Sequence, residues 1–495
     1  MNRLKRTEYK VHFKNGQNHL INPEQGPLAL LPEERHMSFY AMMALMSAGA
    51  IASWAFVTGN AVGVLIPVKY AICACLYGCT VSFAIHAYMV IQYNRWGACM
   101  TVIGRKTWGH IGIYIVILGI GYPATYGWGS MPIIMLGRSG ATLVEDWGAS
   151  GLGADWRVWS IIALIIGLFI TYKGLKVIDK ITKIAAPLVI LIIISVIIVL
   201  AKDYGLSEVW NGMPKGVSDD PITLKHNYMI AVEIALGVGF SWPFGLAAWV
   251  KSSKTEHGAY SPSVYGSGVC WALCAVAPAM TATLSGLDDP VEALHSIAGP
   301  FAILWLIMLF FANVSSVMVN PTNLAIPLTS LFPKLGWRNA VIIQGLFIIA
   351  ILWPVYYDAF GVAISFMGMA EAPIGAVWAV DCFINGKINL RHCYAKNAEE
   401  RRNSAYWYFH GIRISAFAGW FGGMFFGLWM YNPYSGAIAV QGFFDLFGAM
   451  FPAAIVGVLI YLLVFYLYEK PRQISYVDMF QTIKEYHAEK LAKQQ

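Results

Sequence analysis

Long apolar runs separated by short polar segments occupy most of the chain from about residue 38 to residue 468. An α-helix needs about 20 apolar residues to cross a bilayer, and these runs have that length. They are continuous, whereas a transmembrane β-barrel shows alternating segments of about ten residues. The pattern therefore predicts an all-α integral membrane protein with twelve transmembrane helices, at approximately 38–58, 70–92, 110–136, 157–172, 180–201, 227–250, 264–286, 300–320, 339–355, 359–380, 411–431 and 444–468.

Two of these runs, the first and the sixth, are interrupted in the same way. Each carries the pattern Ser-Trp-x-Phe, at 53–56 shortly after Gly49 and at 241–244 directly after Gly239-Phe240. Interrupted helices at corresponding positions of two halves indicate a transport site. Unwound backbone is tolerated at membrane depth only where it lines a cavity or is buried in protein. The alternative is coincidence, because Ser, Trp and Phe are common in this chain.

Composition and charge support the membrane class and predict the orientation. Apolar residues make up 58% of the 495 residues and charged residues only 12%, about half the usual charged share of a soluble domain. If both termini are cytoplasmic, 28 of the 34 Lys and Arg residues lie on the inner side, as the positive-inside rule expects. The net charge of +7 then reflects topology rather than nucleic-acid binding. We expect a multi-pass protein of the plasma or inner membrane.

Several function classes lack their sequence signals. The polar first 37 residues have no apolar signal-peptide core, so no cleavable signal is expected. The chain has no Gly-Lys-Ser/Thr phosphate loop, and no polar stretch exceeds about 40 residues, which leaves no room for a catalytic domain. Its eight cysteines lie mostly in apolar runs and predict neither a disulfide framework nor a metal site. We expect no enzyme and no cofactor.

Twelve helices fit two transporter architectures. One has two parallel six-helix halves, and the other has inverted five-helix repeats with broken first and sixth helices and two appended helices. The interrupted runs favour the second. The basic loop at 94–106 has some likeness to the first architecture, but it lacks an acidic partner. The predicted segments are a tail at 1–37, repeats at 38–201 and 202–380, a loop at 381–410, helices eleven and twelve at 411–468, and a tail at 469–495.

Four stretches resemble the nucleobase–cation symporter family, which includes cytosine, uracil, purine, allantoin and hydantoin permeases. They are the Asn-acidic lead-in at 22–35, Trp-Gly through Arg-Lys-Thr-Trp-Gly at 96–109, Pro-x-Gly-x-Val with Asp-Cys-Phe at 373–383, and Tyr-x-Tyr with Gly-x-Arg at 406–418. In order and spacing they extend over residues 22 to 430. The resemblance implies a leucine-transporter-like fold that imports a small nitrogenous heterocycle with Na⁺ or H⁺ by alternating access.

The chain also departs from the family pattern, as a divergent member would. Asp-Phe-x-Arg after the sixth helix is replaced by Lys-Ser-Ser-Lys at 251–254, Cys382 replaces a Tyr, and Arg413 replaces an Asn. After Trp128, Met-Pro at 131–132 stands where hydantoin-type members carry an amide. The family resemblance therefore supports the fold of this chain more strongly than it supports the identity of the substrate. An amino acid, amine or betaine is an alternative passenger, and a channel or solute sensor is a third reading.

A flat heteroaromatic solute needs aromatic faces for stacking and a few polar groups at its edge. The resemblance implies Trp242 as the stacking ring, with Trp128 on the opposite face and Trp54 lining the cavity. Ser241 offers a hydroxyl at the unwound turn, and the Asn320 amide both donates and accepts hydrogen bonds. The structural alternatives are core or interfacial tryptophans and an interhelical hydrogen bond from Asn320.

For a coupling Na⁺, the resemblance implies carbonyls of the broken first helix and hydroxyls of the eighth. The candidates are Gly49, Ala52, Ser315 and Ser316, although strict alignment places Val314 on one ligand position. Small-residue helix packing explains the same residues equally well. Coupling to H⁺ is therefore also open, and it requires a titratable group within the membrane.

Two acidic residues within the apolar runs are candidates for a proton or charge site. Glu233 lies in the sixth run and Glu371 in the tenth, and intramembrane carboxylates are functional candidates by default. We expect His86, in the second run, to be a packing histidine. Asp381 should have a structural role, as a tie between its helix end and basic residues such as Lys387 or Arg391.

Overall fold

The structure is a computed structural model that describes residues 10–12, 18–20, 29–173, 175–242, 249–351, 355–384, 388–395 and 398–472. Only the backbone is described at 10–12, 18–20, 175–186, 300, 312, 314, 315, 318–320, 322, 333, 347–351, 355, 356 and 472.

Helices make up most of the described chain, in agreement with the continuous apolar runs. In chain order they are α1 (Phe39–Ala50), α2 (Ser53–Gly63), α3 (Val68–Trp96), α4 (Met100–Ile103), α5 (Arg105–Trp108), α6 (Gly112–Val116), α7 (Tyr122–Asp146), α8 (Trp156–Lys173), α9 (Leu175–Leu200), α10 (Leu206–Asn211), α11 (Pro221–Phe240), α12 (Glu256–Ser261), α13 (Cys270–Cys274), α14 (Val276–Ser285), α15 (Pro290–Ile297), α16 (Ala302–Leu331), α17 (Gly336–Ile351), α18 (Val355–Asp358), α19 (Phe360–Ile384), α20 (Leu390–Cys393), α21 (Ala398–Arg402), α22 (Ile414–Met430), α23 (Gln441–Phe447) and α24 (Met450–Val464).

Other elements are short. The π-helical segments Ile117–Gly121, Ala201–Gly205, Pro262–Val269 and Phe465–Glu469 join or extend α-helices. Two antiparallel hairpins pair β1 (Lys10–His12) with β2 (Asn18–Leu20) and β3 (Tyr431–Asn432) with β4 (Ala437–Ile438).

Within the described residues, six helical segments are long and apolar enough to cross a membrane, by length and composition alone. The number rises to eight if two bent pairs each count as one span. All twelve predicted runs overlap at least one helix, but the count of twelve spans stays a prediction. The six segments are Val68–Trp96, Trp156–Lys173, Pro187–Asn211, Glu256–Ser285, Phe360–Ile384 and Met450–Glu469.

The first and sixth runs are interrupted where the sequence predicts. Helix α1 ends at Ala50, α2 begins at Ser53, and the two helices are bent by 54°. Helix α11 ends at Phe240, and the following residues Ser241 and Trp242 are not helical. The remainder of the second Ser-Trp-x-Phe pattern lies outside the described residues. Both interruptions therefore fall at the Ser-Trp pairs.

Close helix contacts depend on glycines, as is common within membranes. Helices α3 and α11 approach each other so closely that a methyl group on Gly239 would lie 2.1 Å from the Ser82 hydroxyl oxygen. A methyl group on Gly423 of α22 would lie 2.5 Å from the Ala453 carbonyl oxygen of α24. The two appended helices are thus packed on each other as well as on α19.

The predicted twelfth run, 444–468, consists of two helices. Helix α23 ends at Phe447, and Gly448 has a φ of +67°, which favours glycine at a helix C-terminus. Helix α24 then begins at Met450. Hydropathy alone missed this break because apolar residues flank it on both sides.

A buried ion cluster closes the end of α19 that is predicted to be cytoplasmic. The Asp381 carboxylate accepts hydrogen bonds from Arg413 at 2.8 Å, from the Tyr461 hydroxyl at 2.8 Å and from the Thr107 hydroxyl at 2.7 Å. The Lys106 ammonium lies 3.6 Å from the same carboxylate. Burial of these charges is tolerated because each has an opposite charge or a hydrogen-bond partner.

The expected structural role of Asp381 is therefore observed. Of its two expected partners, Lys387 lies outside the described residues, and the Arg391 backbone N–H donates to the Asn389 side chain. Arg413, which replaces the Asn of the family pattern, supplies the charge and also binds Glu469 at 3.0 Å. The cluster thus joins the second loop, the tenth helix and the last helix.

Replacement of Asp381 by Asn should destabilise the protein by about 3–5 kcal/mol, because it leaves buried cations uncompensated. Unfolding in mixed micelles measures the effect. The control is Glu256→Gln in the exposed pair Arg95–Glu256 (side chains 45% and 43% exposed), which should cost less than about 1 kcal/mol. Equal stability of the two variants would contradict the structural role of the cluster.

Candidate functional site

Four tryptophans from different elements meet beside the two helix interruptions. Trp54 begins the first turn of α2, Trp128 lies in α7, Trp242 follows α11, and Trp271 lies in α13. Trp54, Trp128 and Trp271 are each 1% exposed, and Trp242 is 8% exposed. We call these four residues the tryptophan cluster.

The rings of the tryptophan cluster contact one another mainly edge to face. Trp242 lies 5.2 Å from Trp54, 5.6 Å from Trp128 and 6.1 Å from Trp271 between ring centroids. Trp54 and Trp271 are stacked at 6.0 Å with an interplanar angle of 12°. Trp271 also lies 5.4 Å from Trp128, so Trp242 and Trp271 each contact all three other rings.

Two of the indole N–H groups are fixed by hydrogen bonds at the interruptions. Trp54 donates to the Gly49 carbonyl at 2.9 Å, across the gap between α1 and α2. Trp128 donates to the Ser241 hydroxyl at 2.9 Å, and that hydroxyl donates to the Gly237 carbonyl at 2.7 Å. The first bond bridges the interruption of the first span, and the second joins the third span to the sixth.

Trp271 is tied to the first span by a similar chain. Its indole N–H donates to the Thr58 hydroxyl at 3.1 Å, which donates to the Trp54 carbonyl at 3.0 Å. The Trp242 indole N–H, in contrast, has no hydrogen-bond acceptor among the described residues. It is the one indole donor of the cluster left for a ligand within the described part of the chain.

The structure brings together Trp54, Trp128, Ser241 and Trp242, which the sequence analysis selected as substrate contacts. It adds Trp271, which that analysis missed because Trp271 sits in an uninterrupted apolar run among 18 tryptophans. Phe360, at the start of α19, also contacts Trp128, with a centroid distance of 5.8 Å. Neither residue has a local sequence signal.

Two predicted residues of the eighth span cannot be assessed in the same way. The side chains of Asn320 and Ser315 lie outside the described residues, although α16 continues through both positions and through Pro321. Ser316 is buried, and its hydroxyl has no hydrogen-bond partner among the described residues.

Polar residues follow a stripe along α16 that the sequence analysis recognised only in part. Asn313, Ser316, residue 320 and Asn323 are spaced three or four apart, so they share one helix face. Asn313 is fully buried, and both its amide atoms lack partners in the described part of the chain. Asn323 accepts a hydrogen bond of 2.9 Å from Trp249. The recurrence of Asn and Ser at every third or fourth residue is the sequence pattern from which this stripe could have been predicted.

The predicted cation ligands in the first span already have hydrogen bonds. The Gly49 carbonyl accepts from Trp54, and the Ala52 carbonyl accepts from the Ala55 N–H at 3.1 Å. A carbonyl has two lone pairs, so each can still bind a cation. Ser53, at the interruption, is fully buried, and its hydroxyl has no partner among the described residues.

The two intramembrane carboxylates have different surroundings. Glu233 accepts hydrogen bonds from the backbone N–H groups of Ala449 at 2.9 Å and of Met450 at 3.2 Å, so it caps the start of α24. Glu371 is fully buried, and neither carboxyl oxygen has a hydrogen-bond partner in the described residues. The Glu233 carboxylate therefore stabilises a helix end, whereas no described residue gives the Glu371 carboxyl group such a role.

An ion-pair clasp lies further along α7 from Trp128, toward the predicted outer side. Arg138, later on the same helix as Trp128, pairs with both Asp289 and Asp358. Asp289 caps α15 and Asp358 ends α18. The clasp therefore joins the third span to two places. One is the segment between α14 and α16, and the other is the residues just before Phe360.

A second outer contact involves the first span. The Asn60 amide of α2 donates to the carbonyls of Leu287 at 2.9 Å and of Asp288 at 2.7 Å. The segment before α15 is thus attached to both α2 and α7.

Comparison with protein-family models and with curated protein sequences gave no match. Comparison with solved structures did. MHP1, described as a nucleobase-cation-symport-1 family transporter in a closed conformation with bromovinylhydantoin bound, matches with a TM-score of 0.75 and 19% identity, over 95% of this chain and 100% of that chain. The inward facing conformation of Mhp1 matches with a TM-score of 0.70 and 18% identity, over 90% and 94%.

These matches confirm the predicted leucine-transporter-like fold. They also agree with the resemblance that four sequence stretches carried, and the low identity fits a divergent relative. The matched protein is described as a transporter. The plasma-membrane location and the cytoplasmic termini stay predictions.

Replacement of Ser241 by Ala should lower stability by about 1–3 kcal/mol, because it leaves the buried Trp128 N–H without an acceptor. The double variant with Trp128→Phe should lose less than the sum of the two single losses. Reversible unfolding in mixed micelles measures all three. Strict additivity would mean that the two side chains do not interact.

Proposed function

We propose that the protein is a secondary active transporter that imports a small nitrogenous heterocycle, such as a nucleobase, a hydantoin or an allantoin-like compound, together with Na⁺ or H⁺. The observation that carries the proposal is the position of the tryptophan cluster, at two helix interruptions that face each other. Interrupted helices of this kind form the substrate and ion sites of inverted-repeat transporters.

A flat aromatic solute suits the chemistry of this site. Trp242 can stack on a ring and offers its indole N–H, while Trp128 supplies a second aromatic surface. A bound ring would replace the edge-to-face contact between these two tryptophans, which is worth about 0.5–1.5 kcal/mol beyond buried area. Asn320 lies one turn beyond Ser316 on the polar stripe of α16. We propose that its amide forms hydrogen bonds with the polar groups at the edge of the solute. The matched structure of MHP1 holds bromovinylhydantoin, a compound of this class.

The coupling cation is proposed to lie between the first and eighth spans. The Gly49 and Ala52 carbonyls and the hydroxyls of Ser315 and Ser316 are hard oxygen donors, which Na⁺ requires. The unpartnered hydroxyl of Ser316 supports this placement. Opening of the outer clasp at Arg138 would admit solute and cation, and later separation of the spans on the other side would release them.

A second candidate passenger is an amino acid, amine or betaine in the same fold. The observation in its favour is the Glu371 carboxyl, which has no partner among the described residues and can neutralise a cationic group. This passenger would bind closer to α19 than to the face of Trp242. The two passengers therefore predict different sensitivities to substitutions at these two residues.

Uptake into proteoliposomes, driven by an imposed sodium or proton gradient, tests the proposal. We expect accumulation of at least one compound from labelled uracil, cytosine, allantoin and hydantoin. Accumulation of only amino acids or glycine betaine would favour the second candidate. Equilibration without accumulation for every compound would indicate a channel and would contradict the proposal.

Replacement of Trp242 by Ala should abolish binding of the transported compound, because it removes the stacking surface and the free donor together. The matched control is Trp305→Ala, a fully buried tryptophan of α16 that contacts Phe301 outside the cluster. Both variants should lose stability to a similar degree, about 3–5 kcal/mol. Calorimetric affinity of folded protein separates them, and unchanged affinity in Trp242→Ala would place the site elsewhere.

A further inference from the structure

We propose that Glu371, with His86 beside its helix, is the site that binds the transported proton. The inference rests on the proposed transport function and assigns the coupling ion to H⁺. It starts from the position of Glu371 between two close helix contacts, and from the lack of any described partner for its carboxyl group.

Glu371 faces the junction of α19 with α3 and α11. Gly368, three residues earlier, packs so closely that a methyl group there would lie 2.8 Å from Gly237 Cα of α11. Gly375, four residues later, faces α3, and a methyl group there would lie 1.9 Å from His86 Nε2. Residues 368, 371 and 375 share one helix face. The carboxyl group is therefore directed toward both neighbouring helices.

This position is level with the interruption of the sixth span. Helices α11 and α19 run in the same direction: Gly361 lies against Ile234, and Gly237, three residues later on α11, lies against Ile364 and Gly368, further along α19. One turn further along, Glu371 is opposite the end of α11 at Phe240, immediately before Ser241 and Trp242. Movement at that interruption would therefore change the surroundings of Glu371.

His86 of α3 lies at the same level as Glu371, and its ring nitrogens also have no hydrogen-bond partner among the described residues. Its ring is fully buried, with its centroid 5.2 Å from that of Phe240. It lies against the backbone of Gly239 and Glu371, but neither ring nitrogen reaches hydrogen-bond geometry with a described residue. A small displacement of α11 or α19 would bring it within reach of a proton acceptor.

Other titratable groups on the helices around α19 are occupied or distant. On α11, Glu233 is bound to the start of α24. Tyr461 of α24 and Lys106 of α5 belong to the Asp381 cluster, about ten residues further along α19. Helices α2 and α22 carry no titratable side chain in their sequences.

On α3, Cys79 lies seven residues before His86 and Tyr93 seven residues after it, with the Tyr93 ring edge to face on Trp378. Tyr357 and Asp358 of α18 lie beside Arg138, before the start of α19. Among these described groups, His86 is the one that lies against the backbone of Glu371.

The packing in this structure therefore holds Glu371 in its protonated form. An ionised carboxylate in this place would lose its hydration without gaining a counter-ion, at a cost of several kcal/mol. The neutral acid costs much less to bury. In the outward-open state a carboxyl oxygen takes one proton from the outer solution, and in the inward-open state the same O–H bond breaks and the proton passes to the inner water. One positive charge enters with each neutral solute.

Replacement of Glu371 by Gln, which mimics the protonated acid, tests the inference. Proteoliposomes with labelled uracil or hydantoin, whichever the wild type accumulates, should show loss of accumulation driven by a pH gradient. Counterflow, in which internal unlabelled compound exchanges for external label, should continue at the wild-type rate, because it needs no net proton release. The matched control is Glu233→Gln, which should lower thermal stability but keep pH-driven accumulation.

Infrared spectroscopy provides a readout that needs no substrate. Wild-type protein should show a carboxylic C=O band of a buried acid, sensitive to exchange into D₂O, and Glu371→Gln should lack it. An unchanged band in the variant, or pH-driven accumulation by the variant, would overturn the inference. Wild-type accumulation driven only by Na⁺ would also overturn it and leave the proposed function standing. Failure of the wild type to accumulate any compound would instead contradict the proposed function.

Discussion

The structure depends on one constraint: polar backbone groups at membrane depth must be satisfied inside the protein. The first interruption meets it with an indole, and the second with the Ser241 hydroxyl, which donates to the Gly237 carbonyl and accepts from an indole. Trp54 donates to the Gly49 carbonyl across the first interruption, and Trp128 donates to Ser241 at the second. The tryptophans therefore stabilise the breaks and at the same time assemble an aromatic site there. Loss of either indole would expose unsatisfied polar groups, so the site and the broken helices are maintained together.

The sequence predicted much of this arrangement because its signals are local. Apolar run length located the helices, and the two Ser-Trp pairs located the interruptions, since glycine and serine next to an aromatic residue mark a place where regular hydrogen bonding ends. Trp54, Trp128, Ser241 and Trp242 were selected in this way, with the family resemblance giving them roles. The structural match to a nucleobase-cation-symport-1 family transporter agrees with the predicted fold.

Features that depend on distant contacts could not be predicted. Trp271 joins the cluster through Thr58, more than 200 residues earlier in the chain. Asp381 pairs with Arg413 across a loop, while nearer basic residues were the expected partners. Glu233 and Glu371 were equivalent as isolated acids in apolar runs. Only packing distinguishes them, because the start of α24 supplies backbone donors to Glu233 and nothing described supplies them to Glu371.

The central claim is that the solute binds between Trp128 and Trp242, at the interruption of the sixth helix. An experimental structure determined with the uracil- or hydantoin-class compound that gives the largest thermal shift tests it most directly. The account predicts ring density in contact with Trp242, with Trp128 displaced from the edge-to-face contact seen here. Ring density at another place, with these two tryptophans still in contact, would contradict it.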